Sequence, residues 1–208
     1  MASYVRVVQI GRSASSCPRH LAMTIFETIA SRRSIKRFTD RPVSREEIKR
    51  LFDAAVQAPN HRMTEPWRFY VLGPDARYGY GEALGARKAK KVEDGEAAEA
   101  VLIKVAEAHR DLPAMFAVAV TLDDNPEIRE EDYAATFMAI QNLCLTACAM
   151  GLGAHVKSGA VTDDPRARAA VGVLEGQRIV ATISLGEPAS VPEPKKRRDA
   201  SDFTTWVP

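Results

Sequence analysis

The chain has 208 residues, of which 46% are hydrophobic and 27% are charged. That composition is typical of a globular protein, and it excludes collagen-like, coiled-coil and globally disordered chains. Because 29 basic residues are set against 27 acidic ones, the formal net charge is only +2. A field that weak gives no general argument for binding to nucleic acid or to a membrane. We therefore expect one domain with a sizeable core.

The first 22 residues differ from the rest of the chain. Met1–Ala22 contains three arginines and several serines, but no acidic residue and no continuous hydrophobic stretch. It is a poor secretory signal, although its composition is compatible with organelle targeting. We expect a loose leader at residues 1–22, a domain at residues 23–208 and a cytoplasmic protein. The three cysteines, an odd and sparse set, favour a reducing compartment over a disulfide framework.

Two capping boxes predict the first two helices. Thr24 and Glu27 form the first, and Ser44 and Glu47 form the second, each with a hydroxyl residue three positions before a glutamate. After Ser44, apolar residues recur at helical spacing, which predicts one buried face until Pro59 ends the pattern.

Two strands are expected in the middle of the chain, at Phe69–Leu72 and Ala114–Leu122. The second is a nearly continuous apolar run, which favours burial on both faces. Between them, Lys88–His109 is charged, rich in alanine and helical in period. That composition predicts a surface helical excursion rather than part of the core.

The longest helical pattern covers Glu127–Met150. Its apolar residues lie on nearly all sides, which predicts burial either at the centre of the domain or at a subunit interface. Cys144 and Cys148 lie four residues apart in this stretch, and we interpret them as small core residues. Gly151 and Gly153 are typical of a helix end.

The last third of the chain predicts a strand at Ala154–Ser158, a helix from Asp164 to Val171, and a strand at Arg178–Leu185. A polar tail then ends with Phe203 and Trp206, whose aromatic rings suggest packing against a partner. The alternation of helices and strands is compatible with a doubly wound α/β fold, but periodicity alone does not establish the fold class.

Three polar clusters are candidates for chemistry. Arg32–Phe38 could grip a phosphate through guanidinium and hydroxyl groups, or could be a solvated helix end whose cations suit the helix dipole. Ala58–Phe69 is a polar loop that leads into a strand, and Gly151–Gly159 could bring its backbone close to a planar ligand. The sequence has no spacing typical of a metal site, and no GxSxG, P-loop or GxGxxG motif.

Five segments in chain order resemble the flavin-dependent nitroreductase family, in particular its compact members. The resemblance covers the chain from Met23 to Trp206. The segments are RRSIKRF (residues 32–38), APNHRMTEPWRF (58–69), AIQNLCLTACAMGLG (139–153), HVKSGAVTDDP (155–165) and ISLGEP (183–188). The resemblance implies an α+β fold with a mixed, mainly antiparallel sheet flanked by helices. It also implies an intertwined homodimer with two FMN sites at the subunit interface, and a C-terminal arm that begins at about residue 187.

The resemblance also assigns roles to individual residues. It implies that two sets of side chains bind the flavin phosphate, one set directly after the first helix and one set in the arm. Other residues surround the flavin ring, and two of these come from the second subunit. The phosphate residues are Arg32, Arg33, Ser34, Lys195 and Arg197; Lys36 would lie at the N1–C2 edge of the ring; Asn60 and His61 would come from the other subunit; Val156, Lys157, Ser158 and Gly159 would run beside the ring. Many relatives have Asn where Met63 stands and Gln where Glu65 stands, so these two positions affect hydrogen bonding to the ring and substrate choice.

The function that the resemblance implies is an FMN-dependent oxidoreductase. It would take hydride from NADH or NADPH and reduce a nitroaromatic, a quinone or a related organic acceptor by ping-pong kinetics. No side chain is nominated as catalytic, since the flavin carries the chemistry. The alternatives are a flavin carrier without turnover, a dehalogenating or flavin-consuming branch of the family, and a nucleic-acid binder that uses Lys195–Arg198. The last is disfavoured by the low net charge and by the lack of interleaved aromatic residues. We expect no metal, nucleic-acid or membrane partner.

Overall fold

The computed structural model of the protein describes residues 23–208, so the leader expected at Met1–Ala22 lies outside the described residues. Within residues 23–208, six α-helices and four strands make up most of the regular structure. In chain order they are α1 (Ile25–Ser31), α2 (Arg45–Ala55), β1 (Trp67–Val71), α3 (Pro74–Ala89), α4 (Gly95–Arg110), β2 (Ala114–Thr121), α5 (Pro126–Ala149), β3 (Gly153–Lys157), α6 (Pro165–Val171) and β4 (Gln177–Gly186).

Most of these elements follow from local signals in the sequence. Thr24 and Ser44 each accept a hydrogen bond from the backbone N–H three residues ahead, and a glutamate closes each capping box as expected. Asp164 caps α6, with Pro165 at its first position. The observed bounds differ from the expected ones by one or two residues for most elements, because helix and strand ends depend on neighbouring contacts.

The four strands form one antiparallel sheet in the order β1-β2-β4-β3. A parallel bridge between Ser34 and Ala154 adds the chain after α1 to the edge of β3, and an antiparallel bridge joins Phe38 to Pro188. This architecture confirms the expected α+β fold with a mixed, mainly antiparallel sheet. It excludes the doubly wound alternative, which requires parallel neighbours.

Helices cover both faces of the sheet. On one face, α2 and α5 pack over a core that includes Leu51, Phe116 and Leu143. On the other face, α3 and α6 pack over a second core around Tyr80 and Met115. Seven of the eight residues of β2 are buried, as its continuous apolar sequence predicts.

The surface helix expected at Lys88–His109 is observed as α4, most of whose residues are exposed or partly exposed. Its buried residues are Ala106 and His109. The preceding helix α3, which no pattern in the sequence predicted, packs closely against α4 and buries Tyr80. A Cβ atom added at Gly81 would lie 2.7 Å from the Cα of Ala106, so glycine permits this close approach.

The long helix α5 carries apolar residues on more than one side, as its sequence predicts. One side is buried and includes Cys144. Burial raises the pKa of its thiol to about 11, in agreement with a core role. Phe137 and Met138 are exposed on another side. From residue 189 to the end, every residue is exposed on the single chain, including Trp206 at 90%. Within residues 23–208, no helix combines the length and the apolar character needed to cross a membrane.

Candidate cofactor site

A cavity of about 800 Å³ opens between the end of α1, the middle of α5 and the C-terminal arm. Its size lies in the range of ligand and cofactor pockets. Three parts of the chain line it. They are the segment after α1 with the last turn of that helix (Ile29, Ala30, Arg32, Arg33, Ser34, Lys36, Arg37), Gln141 of α5, and the arm (Ser190, Pro192, Glu193, Pro194, Lys195, Arg197).

The lining is strongly cationic. Of the lining residues that the structure describes, six are arginine or lysine, and Glu193 is the single carboxylate. None of the six takes part in a salt bridge with any residue between 23 and 208. Cations gathered without counter-charges repel one another, so an anion entering the cavity would relieve that repulsion.

Arg32 and Arg33 use their side chains differently. The Nη1 of Arg33 donates to the carbonyl oxygens of Ala30 at 2.7 Å and Arg32 at 3.0 Å, so this guanidinium caps the end of α1. Its Nε is buried without a partner among the described residues. The side chain of Arg32 makes no hydrogen bond within those residues and lines the cavity. The helix-end interpretation therefore fits Arg33, while Arg32 is available for a ligand.

The edge of the sheet holds the segment between Ser34 and Lys36 in place. The N–H of Ile35 donates to the carbonyl of Ala154 at 3.0 Å, and its side chain is 3% exposed. A Cβ added at Gly153 would lie 2.5 Å from Cγ1 of Ile35, so only glycine allows this approach. Because Ile35 points into the protein, its neighbours Ser34 and Lys36 are exposed on the cavity side.

Beside this segment, β3 ends at Lys157, whose ammonium lies 3.3 Å from Nε2 of His109 on α4. Burial, together with the charge of Lys157, lowers the pKa of His109 to about 4. Burial and the charges of Lys88 and Lys36 also lower the pKa of Lys157. Sequence reasoning did not find His109, because a single histidine in a helical stretch carries no motif.

Lys157 and the remaining residues of that segment, Val156, Ser158 and Gly159, are not among the residues that line the cavity. Val156, Ser158 and Gly159 are exposed. Gly159 has a φ of +111°, which only glycine adopts readily. The hydroxyl of Thr162 donates to its carbonyl at 2.8 Å and thereby fixes the turn that follows β3.

Asn60 and His61 belong to a loop that docks on the N-terminal half of α5. Nδ1 of His61 lies 3.0 Å from Oε1 of Glu131, and Arg62 contacts both Glu131 and Glu127. Oδ1 of Asn60 accepts a hydrogen bond of 2.7 Å from the N–H of Glu65. The Thr64 hydroxyl donates to the buried carboxylate of Asp132.

The same loop has an unusual backbone. Three of its non-glycine residues, Arg62, Met63 and Glu65, have φ values of 65°, 51° and 45°. Side chains disfavour this left-handed region, so the contacts to α5 must offset the strain. Met63 and Glu65 are also the two positions at which the resemblance implies a different residue in many relatives.

The single chain therefore brings part of the predicted site together. Arg32, Arg33, Ser34, Lys36, Lys195 and Arg197 line one cavity. The other predicted residues do not line it, namely Asn60, His61, Val156, Lys157, Ser158 and Gly159. Glu131, which anchors the loop of Asn60 and His61, and the cavity residue Gln141 are ten positions apart on α5, which is about 15 Å along a helix axis.

Comparison with known proteins identifies the family. The nitroreductase family model matches residues 29–187. A Bacillus subtilis (strain 168) protein, "Putative NAD(P)H nitroreductase YfhC", is 35% identical over 187 residues, which cover 89% of this chain and 95% of that protein. A crystal structure of a nitroreductase-like family protein from Bacillus cereus superimposes with a TM-score of 0.77 at 28% identity, over 94% of this chain and 99% of that one.

A more distant structure shares the fold. The FMN- and NADPH-dependent nitroreductase NfnB from Sphigopyxis sp. strain HMH has a TM-score of 0.71 at 18% identity, over 89% of this chain and 100% of that one. The family model spans most of the described domain, and the relatives match nearly end to end. The chain belongs to the nitroreductase family.

Proposed function

We propose that the protein is an FMN-dependent oxidoreductase that takes hydride from NADH or NADPH and reduces an organic acceptor. The observation that carries the proposal is the cavity lined by six cations that have no salt-bridge partner within residues 23–208. Membership of the nitroreductase family supports it, as do the names of the relatives, which specify NAD(P)H and, for NfnB, FMN.

The residues present fit the phosphate of FMN. The guanidinium of Arg32 would bind the dianion with two parallel hydrogen bonds, and Ser34 would add its hydroxyl. Lys195 and Arg197 would close on it from the arm, while Arg33 caps α1 and leaves one buried N–H for the ligand. Bound FMN would supply the redox chemistry, since its ring can accept a hydride from NADH or NADPH and pass it on.

The ring would extend from the phosphate toward the edge of the sheet. Lys36 would lie at its N1–C2 edge, and Val156, Lys157, Ser158 and Gly159 would run beside it. The bridge between Ser34 and Ala154 supports this arrangement, because it brings the two segments side by side.

We propose that Asn60 and His61 reach the ring from the second subunit of a homodimer. The separation of about 15 Å along α5 between their anchor and the cavity supports this, since one chain leaves the site incomplete. Exposed apolar residues also support a dimer. They include Ile25 (59% exposed), Phe26 (81%) and Ile29 (52%) of α1, Phe137 (46%) of α5, and Phe203 (66%) and Trp206 (90%) of the arm.

The working domain in this proposal is residues 23–208, with the arm from about residue 187, and the acceptor is a nitroaromatic, a quinone or a related compound. Donor and acceptor would use the same face of the ring in turn, which gives ping-pong kinetics. We nominate no side-chain acid or base. The sparse cysteines support a cytoplasmic location.

The absorption spectrum of the purified protein tests the proposal. We expect a yellow protein whose colour is bleached by NADH or NADPH in the absence of oxygen. Addition of a quinone or a nitroaromatic should restore the yellow colour. A flavin that the nicotinamides do not reduce would instead indicate a carrier. A colourless protein that takes up no added FMN would contradict the flavin proposal altogether.

A further inference from the structure

Lys157 is a half-buried cation that has no counter-charge among residues 23–208. No carboxylate between residues 23 and 208 lies within salt-bridge distance of its ammonium, which instead contacts Nε2 of His109 at 3.3 Å. Enclosing a charged group without an opposite charge is unfavourable. A protein keeps such an arrangement at a site where the charge acts on something else.

His109 is held in one orientation and one tautomer. Its Nδ1 lies 2.7 Å from the carbonyl oxygen of Val105, to which it donates. Nε2 therefore carries a lone pair and accepts a hydrogen bond from Lys157. The residue is 6% exposed, and the ring of Tyr80 packs 5.9 Å from its own. Because burial lowers its pKa to about 4, the imidazole is neutral at pH 7 and adds no charge of its own.

Several groups surround this pair. The charges of Lys36 and Lys88 both act on Lys157, since each lowers its pKa. On the paired strand, Thr182 lies opposite Lys157, and its hydroxyl is 3.2 Å from that of Tyr80. Lys36 lines the cationic cavity. The bridge between Ser34 and Ala154 holds the segment that carries Lys36 beside β3, so the Lys157 charge lies near the end of the cavity where Lys36 stands.

We infer that His109 is a positioning residue that holds the ammonium of Lys157 at the flavin edge, where it acts together with Lys36. The inference rests on the proposed function. Two cations near the ring favour the reduced flavin over the oxidised flavin, because the reduced form carries more negative charge. Without the acceptor at His109, the flexible lysine would turn toward solvent and its charge would be screened.

The midpoint potential of bound FMN tests the inference, because a purely structural contact between α4 and β3 would not change it. For Lys157→Met we expect about a tenfold loss in the preference of the site for reduced over oxidised FMN, which is about 30 mV for a two-electron couple. For His109→Leu we expect a loss of similar size. His109→Gln keeps an acceptor oxygen, and Lys157→Arg keeps the charge. In both variants the preference for reduced over oxidised FMN should therefore stay within about threefold of the wild-type value.

Lys104→Met is the matched control, since Lys104 is an exposed lysine on α4 whose replacement should leave the potential unchanged. A second measurement needs no flavin. In the apo-protein, the ¹⁵N shifts of His109 should indicate a proton on Nδ1 and a titration near pH 4, and Lys157→Met should raise that pKa by removing a neighbouring charge.

The outcomes separate the two proposals. If Lys157→Met and His109→Leu both keep FMN bound, and both keep the preference for reduced over oxidised FMN within twofold of the wild-type value, the inference alone would be overturned. A His109→Gln variant that loses as much as His109→Leu would also overturn it, since the acceptor would then not matter. A wild-type protein that binds no flavin would overturn the inference together with the proposed function.

Discussion

Two cationic regions of the molecule differ in how their charges are balanced. In the cavity, Arg32, Lys36 and Arg197 have no acidic partner within residues 23–208. In the loop at residues 60–65, both His61 and Arg62 contact carboxylates of α5. Paired charges hold a loop in place, whereas unpaired charges are available for a ligand. The same residue types therefore serve structure in one region and binding in the other.

The largest expected effect comes from removing a cavity cation. Arg32→Ala should weaken FMN binding roughly ten- to hundredfold, because a hydrogen bond to a charged group contributes about 1.5–3 kcal/mol. Lysine should recover part of that loss, since it restores the charge without the planar fork. Quenching of flavin fluorescence in a titration of apo-protein measures both affinities.

Riboflavin, which lacks the phosphate, is the matched ligand control and should bind the wild type and Arg32→Ala equally. Arg50→Ala, at an exposed position on α2, is the control variant. Equal losses for FMN and riboflavin would contradict the phosphate role of Arg32.

A second experiment tests whether the two regions meet across a dimer. Mixed and refolded subunits that carry Arg32→Ala or His61→Ala should regain about a quarter of the wild-type sites, because half of the dimers are mixed and each has one intact site. Activity with NADPH and a quinone measures the recovery. No recovery, with mixed dimers demonstrated and each parent impaired, would mean that both residues act in one subunit's site.

The paired charges of the loop predict a pH-dependent contribution to stability. His61 and Arg62 lower the pKa of Glu131 below its ordinary value of 4.5. The carboxylate therefore stabilises the folded state above that value, and its contribution is lost as the pH falls through the lowered pKa. Urea midpoints of the wild type should exceed those of Glu131→Gln at pH 7, and the gap should close as the pH falls below the lowered pKa of Glu131. A gap that persists at low pH would point to packing rather than charge.

The smallest expected effect concerns backbone strain in the same loop. Met63 has a φ of 51°, a region that asparagine tolerates better than other side chains with a Cβ. Met63→Asn should raise the free energy of unfolding by less than about 1 kcal/mol. Met63→Ala is the control, since it truncates the same exposed side chain without relieving the strain, and an equal change in both variants would contradict the explanation.

Local signals were sufficient for the helices with caps and for the buried strand β2. The surface helix between β1 and β2, α4, was predicted, whereas α3 was not, because the residues that it buries against α4 are mostly small and scattered among charged ones. Gly81 illustrates the difficulty: a Cβ atom at this position would lie 2.7 Å from the Cα of Ala106, which is 25 positions away in the chain, and such a constraint leaves no pattern. Residue by residue, the site was predicted through family resemblance rather than periodicity.

The sequence by itself determined most of the element types, the family and the cationic nature of the segment after α1, because caps, apolar periods and charge are local properties. Only the tertiary structure decided that this segment meets the arm in one cavity, and that Arg33 caps a helix while the side chain of Arg32 has no partner within residues 23–208. It alone also decided that Lys157 lies against a neutral His109 from another element. These outcomes depend on contacts between distant parts of the chain, whose distances and burial no local pattern encodes.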